Sequence, residues 1–236
     1  ELVAKLAVSN YYADYCRPVI IGDVRMFEHG LKVVGGDVPH YVISDLSECD
    51  WERGYPVLDL KDQDPEQVVY GEANAYCGAS DLLQLDTAIE LCKTGKIEGF
   101  VFGPFHKGAM KMAGLHDESE HTYLAHAFNL TTPFCEVNMM DDLMTVRTTS
   151  HIPISEVSAN ITEQTLREAI ELGEITGESF GHKPRIAVAA LNPHCGEFGL
   201  CGREEVDVIQ PTIEKVVKET GWNVSGPYSA DTLFIS

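Results

Sequence analysis

The stretch that most constrains this chain runs from Arg185 to Thr220. Arg185–Ala190 (RIAVAA) is a short, almost wholly apolar run, which predicts a strand buried on both faces in a parallel sheet. Val206–Thr220 carries Val206, Ile209, Ile213, Val216 and Val217 at helical spacing and predicts a helix, with Pro211 a candidate kink. Between the two lies a polar loop with Asn192, His194, Cys195, Glu197, Cys201, Arg203, Glu204 and Glu205, punctuated by Gly196, Gly199 and Gly202. Strand, loop and helix in this order build open α/β sheets, which place ligands at such loops. No core requires a histidine, carboxylates and thiols in one turn, so chemistry is sought here first.

The remainder supports the same class. Residues 1–15 read as a helix, 17–22 as a short strand and 24–30 as a short helix. Residues 31–75 are the least periodic part, broken by Gly35-Gly36 and Asp64-Pro65, and predict peripheral strands and loops. From Ser80, the stripe Leu82, Leu85, Ile89 and Cys92 predicts a helix stopped at Lys93-Thr94-Gly95. A strand over Ile97–Gly103, a short helix over His106–Ala113 and a strand over Leu143–Thr149 follow, then a helix N-capped by Thr162 and ending near Gly177 or Gly181. This βαβ-like rhythm favours a mostly parallel sheet. Residues 1–236 read as one α/β unit in which no linker marks a boundary between lobes.

Bulk properties exclude several partners. The net charge of −20 repels nucleic acid and anionic membranes. No apolar run approaches the roughly 18 residues of a membrane span, and the N-terminus lacks a signal-peptide pattern. Seven cysteines without a C-x-x-C pair argue against a disulfide framework and for reduced thiols in the cytoplasm. The opening Glu1–Lys5 is mid-helical in character and lacks an initiator Met, which reads as the start of a fragment.

Three histidines hold similar positions in the rhythm: His121 follows a loop, and His151 and His194 each follow a predicted strand. Parallel strands bring such ends to one sheet edge, and imidazoles with carboxylates suit Zn, Mn, Co or Fe(II). Spacing alone is weak support, since no H-x-x-x-H occurs and loop histidines are commonly plain surface residues. Glu197, Glu204 and Glu205 are candidates for holding a metal or a ligand histidine. For Glu204 and Glu205 the stronger reading is simpler: acidic groups favour the positive end of a helix dipole. Cys195 and Cys201 read as packed thiols. The glycines do not fit G-x-G-x-x-G, and no dinucleotide fingerprint occurs elsewhere.

Five blocks in order resemble the 4-hydroxythreonine-4-phosphate dehydrogenases. Leu191–Glu197 with Gly202–Glu205 is similar to the family's LNPHAGE…G-x-EE signature; Phe105–Ala109 resembles INKEAL, His121-Thr122 GHTE, Thr149–Pro153 TSHIPL, and Ser225–Phe234 GPLPADTLF. His106 stands where the family has Asn and Cys195 where it has Ala. The resemblance implies an α/β/α sandwich of the isocitrate and isopropylmalate dehydrogenase type, with two lobes, a mostly parallel sheet and no Rossmann fingerprint. It implies a cytoplasmic homodimer of pyridoxine biosynthesis that uses NAD and a divalent metal, zinc or Mg, Mn, Co or Fe. The reaction implied is oxidation of a small phosphorylated 3-hydroxy acid of the 4-phosphohydroxy-L-threonine type, followed by decarboxylation. Relatives act on D-threonate or D-erythronate 4-phosphate or on aromatic cis-dihydrodiols. Carried over, His151 and His194 are metal ligands, and Asp231 a further one, from a partner chain. His121 and Thr122 are substrate contacts, Lys107 a proton carrier or anion contact, and Glu197 a support for His194. A third metal histidine and the NAD contacts are expected beyond Ser236. The rival reading from another class is a module that binds metal or ligand without turnover.

Overall fold

The computed structural model describes residues 1–12, 14–117 and 119–234. They form two compact units, Glu1–Asn129 and Leu130–Ser236, which supplies the boundary that composition did not mark.

The first unit is built on a parallel three-stranded sheet of β1 (Ile20–Gly22), β2 (His40–Ile43) and β3 (Tyr55–Asp59), in the order β1-β3-β2. The region expected to be peripheral therefore supplies the central strand. With only five residues between breakers, β3 shows no periodicity, yet its Val57 is fully buried. Val57 packs with Ala4 and Ala7 of α1 (Leu2–Ser9) and with Phe27 and Leu31 of α2 (Val24–Val34). The helix predicted over 1–15 ends at Ser9, capped by Asn10 in a left-handed conformation; Ala13 lies outside the described residues. Asp23 caps α2 by accepting from the Arg25 amide.

α3 (Ala75–Lys93) begins five residues before the predicted Ser80, because Asn74 accepts from the Cys77 amide as its N-cap. Leu85 and Ile89 of α3 pack with Met110 of α4 (Lys107–Met112) and with Leu115. The strand expected over 97–103 does not form. Val101 is 91% exposed, while Phe100 and Phe105 turn into the α3–α4 core and Phe102 stacks on Phe105 at 4.8 Å. α5 (Glu120–Ala127), with Ser119 as N-cap, completes the unit.

The second unit opens with an antiparallel hairpin of β4 (Asn138–Met140) and β5 (Leu143–Thr145), turned at Asp141-Asp142. β5 is shorter than the expected 143–149, and antiparallel. α6 (Ile154–Asn160) follows His151, and α7 (Glu163–Ser179) starts at its Thr162 cap as predicted. β6 (Ile186–Ala189) and β7 (Val224–Tyr228) pair in parallel, linked by the loop and by α8 (Gln210–Thr220). A π-helical turn, Glu205–Ile209, runs directly into α8, so the helix is irregular just before Pro211, whose missing amide hydrogen cannot serve a regular α-helical turn there. Leu166, Ile170, Val188, Ile209, Ile213, Val216 and Val224 close the core between α7, α8 and the strands. The fold is thus mixed α/β with mostly parallel strand pairs. No helix among the described residues is long and apolar enough to cross a membrane.

Candidate active site

After β6 the backbone does something no propensity favours. His194, Cys195, Gly196, Glu197 and Phe198 all adopt left-handed dihedrals, with φ between 46° and 74°. Four of the five carry side chains, and each left-handed L-residue costs about 1–2 kcal/mol. Leu200 N–H donates to the Glu197 carbonyl at 3.2 Å and Cys201 N–H to the Gly196 carbonyl at 3.0 Å, which closes the turn. Gly196 is buried against Gly202 and Glu205; a Cβ there would lie 2.7 Å from the Gly202 carbonyl oxygen and 2.8 Å from Glu205 Oε2. Gly202, at φ 125°, leaves room for Asn192, whose side-chain nitrogen a Cβ would approach to 2.3 Å.

Glu205 holds the loop. Only 2% exposed, its Oε1 accepts from the Leu191 amide at 2.8 Å and the Asn192 amide at 2.7 Å, and its Oε2 from Asn192 Nδ2 at 2.9 Å. Burial raises its carboxyl pKa, but the hydrogen bonds from Asn192 and Leu191 outweigh this and leave it below the ordinary range. Hydrogen bonds to a charged group contribute about 1.5–3 kcal/mol each, so three of them are of the size needed to hold such a turn. Glu204 also accepts from Asn192 Nδ2, at 2.6 Å, and from the Ser158 hydroxyl of α6. Those donors, Ser158 first, bring its pKa down to about 2. Glu204 and Glu205 do begin a helix, Glu204 as its cap and Glu205 as its first residue, and their carboxylates in addition hold the loop and α6.

The left-handed turn leaves His194 exposed. Asp231 lies near enough for His194 to help lower its carboxyl pKa; the larger cause is a 2.5 Å hydrogen bond from the Ser229 hydroxyl. Cys195 Sγ faces the Pro227 carbonyl at 3.8 Å, and burial, Glu205 and Asp231 raise its pKa, as for a packed thiol. The Glu197 side chain is exposed and makes no hydrogen bond among the described residues, so side-chain support for the loop comes from Glu205. His151 is also exposed and left-handed, at φ 57°. The segments leading to the two histidines, Arg147–Thr149 and Ala189–Leu191, line one cavity of about 230 Å³.

The remaining candidates belong to the first unit. Lys107 begins α4, and its Nζ lies 3.6 Å from Glu120 at the start of α5, which brings the two helix N-termini together. His121 and Thr122 are in the first turn of α5; the Thr122 amide donates to Ser119 Oγ at 3.3 Å, and the two hydroxyls are 3.0 Å apart. The premise that three histidines share one sheet edge fails, since His121 starts a helix and His151 lies beyond an antiparallel hairpin. His106 accepts from the Ala109 amide and caps α4. Behind it Asp81 is pushed up to about 6, by burial and then by Asp62, with His106 opposing. Asp62 Oδ2 accepts from Ser80 and Gln84, while its buried Oδ1 has no partner among the described residues. Sequence reasoning missed this pair.

Among the described residues no group of three or more His, Cys, Asp or Glu side chains is placed to hold a metal ion. His194 with Asp231 is a pair, and a catalytic zinc commonly takes three protein ligands. His151 and His194 are of a type that suits such an ion, but the described residues alone do not complete a site for one.

The model of the pyridoxal phosphate biosynthetic protein PdxA family matches residues 14–236. The chain belongs to this family. A Pseudomonas aeruginosa relative, provisionally named 4-hydroxythreonine-4-phosphate dehydrogenase 2, is 35% identical over 237 residues, 100% of this chain and 70% of the relative. A Fusobacterium nucleatum relative, provisionally named D-threonate 4-phosphate dehydrogenase, is 30% identical over 235 residues, 99% of this chain and 70% of the relative. The crystal structure of a 4-hydroxythreonine-4-phosphate dehydrogenase from Burkholderia phymatum superposes with a TM-score of 0.84 at 31% identity, covering 99% of this chain and 71% of that one. The PdxA assignment thus spans both compact units, and the left-handed turn falls within the matched region.

Proposed function

We propose that the protein is an NAD-dependent dehydrogenase acting on a phosphorylated 3-hydroxy acid, with 4-phosphohydroxy-L-threonine as the first substrate to test. The observation that carries this reading is the turn after β6, which exposes His194 on a left-handed backbone in a chain of the PdxA family. In the reaction the substrate carbinol gives its hydride to NAD and its hydroxyl proton to a base. The resulting 3-keto acid loses carbon dioxide, and the enolate left behind takes up a proton. His121 and Thr122 hold the substrate, and Lys107 carries a proton or meets an anionic group. A divalent ion, zinc foremost, belongs to the same proposal and would supply Lewis acidity at the hydroxyl when bound. His151 and His194 would be its ligands, with Asp231 of a second copy in a homodimer as a further donor. The nicotinamide site is assigned to no described residue. With the net charge at −20, a phosphate needs local positive charge, and Lys107 is one source.

A substrate panel tests the reading. The protein is supplied with NAD and, in turn, 4-phosphohydroxy-L-threonine, D-threonate 4-phosphate, D-erythronate 4-phosphate and an aromatic cis-dihydrodiol. NADH formation with the first, abolished by chelator, is expected. The Fusobacterium relative makes D-threonate 4-phosphate the second reading. Turnover with the dihydrodiol alone would overturn the phosphorylated-acid assignment, and no turnover with any of the four would overturn the dehydrogenase reading.

A further inference from the structure

The carboxylates at the head of the last helix do more than shape their own loop. Ser158 lies on α6, seven residues beyond His151, and its hydroxyl donates to Glu204. Glu204 in turn accepts from Asn192, two residues before His194, at 2.6 Å. Asn192 is gripped on its other side by Glu205, through both its side chain and its backbone amide. An unbroken chain of hydrogen bonds, Ser158–Glu204–Asn192–Glu205, thus ties the segment that carries His151 to the segment that carries His194. The cavity of about 230 Å³ lies between those segments, lined by Thr149 and Val157 on one side and Ala190 and Leu191 on the other. Both histidines are in left-handed conformations, so neither position follows from local propensity.

We infer that Glu204 is a positioning residue that sets the spacing of His151 and His194, with Glu205 clamping Asn192 as the fixed end of the tie. Neither carboxylate touches a reacting atom in this account; each acts through the segment it holds. The inference rests on the reading of the two histidines as parts of one dehydrogenase site.

Hydrogen exchange resolved by peptide, over 151–160 and 189–200, tests the tie directly and needs no activity. Glu204→Ala is expected to raise exchange at least tenfold in both segments while leaving the midpoint of global unfolding nearly unchanged. Ser158→Ala is expected to loosen 151–160 alone. Glu204→Gln keeps an acceptor for Asn192 and a polar partner for Ser158, and is expected to restore most of the protection. Steady-state kinetics with 4-phosphohydroxy-L-threonine separate positioning from simple binding, since Glu204→Ala should lower kcat at least tenfold and move KM far less. Wild-type exchange in either segment of Glu204→Ala would overturn the inference. Altered exchange in a protein whose wild type forms no NADH would fault the dehydrogenase reading and leave the tie standing.

Discussion

Glu204 and Glu205 in the second unit, and Asp62 and Asp81 in the first, are two pairs of carboxylates partly or wholly withdrawn from water. Glu204 and Glu205 meet two backbone amides, the Asn192 side chain and the Ser158 hydroxyl, and both carboxyls fall below their ordinary range. Asp62 meets Ser80 and Gln84 through one oxygen only, and Asp81 beside it rises to about 6. Hydrogen-bond donors make the difference. With enough of them a buried carboxylate becomes a scaffold for backbone that would otherwise relax; without them the charge is opposed by burial and by its neighbour.

The largest test of this contrast is Glu205→Ala. It leaves the Leu191 and Asn192 amides and the Asn192 side chain without their acceptor, and is expected to lower stability by about 3 kcal/mol in urea unfolding. A loss below about 1 kcal/mol would mean that water replaces the carboxylate easily. Next comes Gly202→Ala, which adds a Cβ 2.3 Å from Asn192 Nδ2 at a φ of 125°. A loss of about 2 kcal/mol is expected, against about 1 kcal/mol for Gly221→Ala, where φ is also positive but no atom lies within 4 Å.

How much of this the amino-acid order discloses depends on how local the cause is. β6 and α8 are legible as elements because an apolar run and a 3.6-residue period are properties of the segment itself, but Ala187 and Ala189 of β6 are exposed where burial on both faces is expected, and 205–209 is π-helical. The clamp went unread although a signal for it exists: Glu205 continues the buried stripe of Ile209, Thr212, Ile213 and Val216, and a carboxylate on a core face demands donors. The left-handed run at His194–Phe198 was not legible. Residues such as Cys and Phe give no sign of it, and it is held by contacts from Gly202 and Glu205. β3 and the irregular 97–103 segment fail for a related reason, because strands are settled by partners distant in sequence. The motif blocks mark His151 and His194 without showing that Ser158 and Glu204 connect their segments.

Acid sharpens the contrast further. Glu204 has a folded pKa of about 2, depressed from 4.5, so its contribution to stability is complete above about pH 4.5 and is lost as the pH falls toward 2. Thermal unfolding over that window should show a steeper decline for the wild type than for Glu204→Gln; equal slopes would show that the Ser158 and Asn192 bonds do not favour the charged form. Asp81 has the opposite sign. Its folded pKa of about 6 lies above 3.8, so it withdraws stability as the pH rises through that interval. Asp81→Asn should raise the melting temperature at pH 7 slightly, for a gain in stability of less than about 1 kcal/mol after solvent screening. A lower melting temperature would mean that the ionised carboxylate is held by a favourable contact.

The central claim is that the segments bearing His151 and His194 form the working part of a dehydrogenase site. The measurement that tests it most directly is NADH formation by the His151→Ala/His194→Ala double variant with 4-phosphohydroxy-L-threonine. Both histidines are exposed, so the fold and the unfolding midpoint should survive. The double variant's kcat/KM is expected to fall at least about 1,000-fold. Turnover within about tenfold of the wild type would contradict it.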